Sequence, residues 1–102
     1  MQGRANAALL VMAREMGADF IEPADKNTFA SVLGRTHGCT FELRVVESPT
    51  DKTKPTLTLG VRHFHTQTSQ TLSGPGMQPP DLDPVALRRT VEQACYEFAT
   101  EH

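Results

Sequence analysis

The chain has 102 residues, 38% of them apolar and 22% charged, with ten Lys and Arg against twelve Asp and Glu. That is one globular domain, residues 1–102, with enough chain to bury a core of its own. No window approaches the ~18 consecutive apolar residues of a membrane span, two cysteines are too few for a disulfide framework, and the composition excludes collagen-like and low-complexity chains.

The basic residues are scattered, and Arg88-Arg89 is their only adjacent pair. Duplex binding draws on clustered phosphate contacts, so no nucleic acid is expected as a partner. No basic amphipathic stretch suits a membrane surface either. The start, Met1 to Asn6, has no basic region leading into a long apolar run. A secretory leader is therefore not expected, and Cys39 and Cys95 read as free thiols in a reducing, cytoplasmic setting.

The spacing predicts a first helix over 4–16, stopped by Gly17. Leu9, Met12, Ala13 and Met16 repeat at i, i+3, i+4 and i+7, and Ala5 extends the stripe backward. Leu9-Leu10-Val11-Met12 cannot all lie on one narrow face, because successive residues step 100° round a helix. Leu10 and Val11 are left over, rimmed by Arg4, Arg14 and Glu15. Phe20-Ile21 follows, then Pro23 and an Ala-Asp-Lys-Asn turn. Residues 28–33 suit a strand better than a short helix, with a turn over Gly34-Arg35-Thr36-His37-Gly38 behind them.

Residues 39–47 form the clearest strand. Phe41, Leu43 and Val45 alternate there with Thr40, Glu42 and Arg44. A Pro- and Lys-bearing loop over 48–55 leads to a second strand over 56–65, in which Leu57, Leu59 and Val61 alternate with polar residues. These two strands pair antiparallel, and Glu42 and Arg62 make a cross-strand pair on the outer face. Thr66 to Leu72 is polar on both sides, either an exposed edge strand or a continuation of the strand before it. A Pro/Gly connector spans 73–83. Asp83 caps the last helix, Pro84 sits at its first position, and Leu82 and Leu87 have the spacing of a hydrophobic staple. Leu87, Val91, Ala94, Cys95 and Phe98 make the buried stripe; Arg89, Gln93, Glu97 and Thr100 face water.

The fold expected is α+β: a meander of three or four antiparallel strands with an N-terminal and a C-terminal helix packed on one face. Double-stranded-RNA-binding domains share this element order. They carry basic clusters entering the last helix, where this chain has Pro79-Pro80-Asp81-Leu82-Asp83-Pro84.

The chain carries no phosphate loop, no nucleophile elbow, no His-Glu-x-x-His and no Cys-x-x-Cys. One constellation stands out. His63 and His65 are two apart on a strand, and His37 and Cys39 are two apart on the strand paired with it. Alternation places all four with the core face. A hairpin centred on the 48–55 loop brings Cys39 near His63 and His37 near His65. Three imidazoles and a thiol suit zinc or another borderline metal; a nucleophilic Cys39 with His63 as base is the catalytic version. Asp81 and Asp83 complement a helix start and are not an acid–base pair.

Two functions follow. The first is a small non-enzymatic regulator or adaptor, a homodimer that binds another protein through Leu10, Val11, Arg14 and Glu15 on the first helix and takes no cofactor. The second is a metal-binding or small catalytic domain built on His37, Cys39, His63 and His65.

Overall fold

The structure, a computed structural model, describes residues 2–22, 30–46, 56–73 and 83–101. The chain runs α1 (Gln2–Met16), β1 (Asp19–Ile21), β2 (Ser31–Thr36), β3 (Cys39–Val46), β4 (Thr56–His63), β5 (Thr66–Ser73) and α2 (Pro84–Glu101). The five strands form one antiparallel sheet in chain order. Both helices lie on the same face of it and touch each other.

The class and the meander are those expected, with one or two strands more. The added strand is β1, whose three residues are too few to show a period of two; it pairs Phe20 with Val32. Thr66 to Ser73 is an edge strand in its own right, not a prolongation of β4. The hairpin register of β3 and β4 sets Phe41 against Val61, Leu43 against Leu59 and Val45 against Leu57. All six are buried, and the two helices close over them with Leu9, Met12, Ala13, Leu87, Val91, Cys95 and Phe98.

Each helix end has a local cause. Gly17 takes φ 66°, and beyond it Ala18 N donates to Ala13 O at 2.8 Å while Gly17 N donates to Arg14 O at 3.4 Å. That is the paired bonding of a Schellman stop. At the start of α2, Val85 N donates to Asp83 Oδ1 at 3.1 Å and Leu87 N to Asp83 O at 3.0 Å. Asp83→Ala is therefore expected to lower stability by about 0.5–2 kcal/mol through loss of the cap. Paired denaturant melts of Asp83→Ala and Asp83→Ser decide this, because serine keeps the acceptor and should retain most of the stability.

Three expectations change. The turn foreseen over 34–38 contracts to His37-Gly38, both at positive φ, and Gly34 to Thr36 belong to β2. The strand foreseen to residue 65 ends at His63, and Phe64-His65 form the turn into β5. Glu42 lies opposite Gly60, not Arg62; its carboxylate approaches Arg44 Nε at 3.9 Å, two residues along the same strand. The Leu82 staple, the Ala-Asp-Lys-Asn turn, the 48–55 loop and the connector over 74–82 lie outside the described residues.

Candidate functional site

Three places carry exposed groups that the core does not use. The first is the seam between α1 and β1. Leu10 is half-buried, Val11 is 41% exposed, and Arg14 and Glu15 are exposed. Leu10 lines a shallow groove with Asn6, Ala7, Phe20 and Glu22. Asn6, Ala7, Leu10, Val11 and Arg14 fall at i, i+1, i+4, i+5 and i+8, so they form one ridge. Phe20 reaches the groove because β1 alternation turns it to the helix side, where it packs against the core. At the rim, Asn6 Oδ1 is buried and has no hydrogen-bond partner. The sequence pointed to Leu10 and Val11 but missed Asn6, Ala7 and Phe20. Helical spacing from Leu10 could have found the first two; Phe20 depends on a strand too short to predict.

The second place is the end of the sheet where the β2–β3 and β4–β5 turns lie. His37 is exposed, at φ 52°, and its ring meets Tyr96 of α2 edge-on at 5.5 Å. His63 is half-buried, with an Nδ1 that is buried and unpartnered; its ring lies 4.5 Å from that of Phe64. Phe64 is 77% exposed, and its φ of 55° is a strained setting for a bulky side chain. Arg62 Nε braces the turn by donating to Phe64 O at 3.2 Å. His65 is exposed beside it.

Cys39 lies deeper than the histidines. It is fully buried under α2, and its thiol donates to Cys95 O at 3.4 Å. Among the described residues, no group of three or more His, Cys, Asp or Glu side chains is arranged to hold a metal ion. Burial also pushes the Cys39 thiol up from its ordinary value. Cys95 is pushed up to about 12, first by burial and then by the neighbouring Cys39. Both sulfurs are thus held as neutral thiols, the opposite of what a nucleophilic thiolate needs.

These shifts carry a pH dependence. Because the folded state raises both thiol values, it favours the neutral form, and that contribution is complete below the unfolded thiol value near 9. It is lost as pH rises from there toward about 12. Denaturant midpoints measured from pH 8 to about pH 10.5 should fall more steeply for wild type than for Cys95→Ala. Parallel curves would show that the thiols do not stay neutral through burial.

The third place is the sheet face that the helices leave open. A broad concavity of about 770 Å³ lies there, with Arg35, Thr40, Glu42, Arg62, Gln67 and Ser69 around Gly60. Cross-strand pairing sets Arg35, Thr40, Arg62 and Gln67 in one row. No histidine or cysteine lines it. Comparison with protein-family models, with curated proteins and with solved structures finds no match to this chain. No helix among the described residues is long and apolar enough to cross a membrane.

Proposed function

We propose that this protein is a small non-enzymatic interaction module, a regulator or adaptor that docks a partner protein on the groove between α1 and β1. The observation that carries this reading is the Asn6 carbonyl, buried without a donor at the rim of a groove floored by Ala7, Leu10 and Phe20. A buried acceptor left unpaired costs about 1–3 kcal/mol. A partner that brings one N–H to Asn6 and apolar side chains to Leu10 and Val11 removes that cost and covers the exposed ridge. Arg14 and Glu15 then form a charged border round an apolar centre.

Val11→Glu places an uncompensated charge in that contact. It is expected to leave the fold intact, with an unchanged circular dichroism spectrum, and to abolish capture of the partner. Val85→Glu, at a somewhat more exposed apolar position on α2, serves as the control and should capture normally. Quantitative affinity capture with wild type, Val11→Glu and Val85→Glu as baits checks this. A Val11→Glu bait that retains every protein held by wild type contradicts the reading.

A further inference from the structure

A sheet ends in two edges, and the two here differ. β1 is three residues long and begins with Asp19. β5 runs eight residues, Thr66–Ser73, with no charge and no proline, and is exposed from Thr66 through Thr71. Its outer row of backbone N–H and C=O groups faces away from β4. A long, uncharged edge, regular from Thr66 to Thr71 and bulged only at Leu72, is a template for another strand.

We propose that the chain forms a two-fold homodimer in which two copies join edge to edge through β5, fusing two five-stranded sheets into one. This surface is separate from the α1–β1 groove. Helix α2 supplies the second observation. On the helix side of the sheet, Gln70 and Leu72 of β5 border one groove with Arg89, Gln93 and Glu97 of α2. The three α2 residues are four apart and form a ridge along that edge. Their charges run positive, neutral, negative.

Such a ridge complements itself about its midpoint when a second copy runs antiparallel to it. Gln70 and Gln93 share the groove, so a two-fold axis at Gln70 also passes Gln93. Arg89 of each copy then faces Glu97 of the other, twice by symmetry. Along the seam Ser69 meets Thr71, Leu72 lies at the bulge, and no like charges oppose. Isologous pairing of this kind closes on itself. Head-to-tail growth would need a long second edge, and β1 does not provide one.

Sedimentation equilibrium of the untagged protein at ~100 μM tests this, since a micromolar Kd leaves most of the protein dimeric there. The expected mass is twice the 11.2 kDa of one chain. Thr68→Lys combined with Gln70→Lys gathers charges about the axis and should raise the dimer Kd at least about tenfold. Arg89→Glu alone should weaken the dimer, and Arg89→Glu with Glu97→Arg should restore it, because the reversed pair is again complementary. Val11→Glu should leave the dimer intact. A wild-type monomer overturns the proposal and leaves the edge to a strand of another protein. So does a dimer indifferent to the paired lysines. A double reversal as weak as the single one overturns the two-fold register.

Discussion

Leu59→Ala is expected to lower stability by about 2–5 kcal/mol, and Leu43→Ala by a similar amount. The two side chains face each other across β3 and β4, and neither has any exposed surface. Val32 of β2 continues the same row, and both helices close over it, so the space a methyl-only side chain leaves has walls on every side. Helix faces can shift slightly into such a space; a sheet row held by its ladder cannot. The cost should therefore sit in the upper part of the range. Denaturant midpoints with unchanged slopes measure it. A loss below about half a kcal/mol would mean that the row is not enclosed.

Gly34→Ala carries the second large effect, by crowding instead of loss. A Cβ at this position would lie 2.8 Å from Ala18 Cβ and 2.9 Å from Cε2 and Cζ of the Phe41 ring. Gly34 pairs with Phe41 across β2 and β3, so the ring lies over the space where a side chain would stand. Ala18 follows the Schellman stop of α1, and its position is fixed by its bond to Ala13 O at 2.8 Å. One added methyl must displace either the ring or that junction, at about 1–3 kcal/mol; Gly34→Val should do worse. Gly38→Ala, by contrast, meets no atom within 4 Å and is opposed only by its φ of 78°. Melting curves of Gly34→Ala and Phe41→Leu/Gly34→Ala separate the cause, because the smaller side chain should relieve much of the crowding. If Gly34→Ala melts as wild type does, the ring does not occupy that space.

The difference between these two sites shows what the sequence could tell. Leu43 and Leu59 belong to strands whose alternation is complete, and a hairpin centred on the loop between them fixes which residues meet. Gly34 reads as a breaker in one dimension, and only the Phe41 ring and Ala18 crowding the space beside it explain a glycine inside a strand. Thr66 to Ser73 stayed ambiguous because an edge strand with little beneath it has no apolar face to alternate with. At the functional surfaces, helical spacing reveals the Leu10–Val11 excess but not the groove, whose other wall is Phe20 of β1. The histidines lie at one end of the sheet, as their spacing requires. The inward direction of Cys39 follows the alternation of β3, whereas the directions of His37 and Phe64 come from turn dihedrals and from Tyr96, which a two-residue period does not contain. Glu42 found Arg44 and not Arg62 because the register places Gly60 opposite it.

The order of strands in the sheet is the order in the chain, and this bears on how the molecule assembles. Each strand pair closes a local loop, at little entropic cost. A sheet built that way is expected to form early and in pieces, and to be unstable while one face remains open to water. Only α1 and α2, drawn from opposite ends of the described chain and in contact with each other, cover it. The late event is thus the meeting of the two ends over a sheet already sketched. The folding barrier is then expected to reflect a long-range closure even though most pairings are local, with cooperativity entering through the helices.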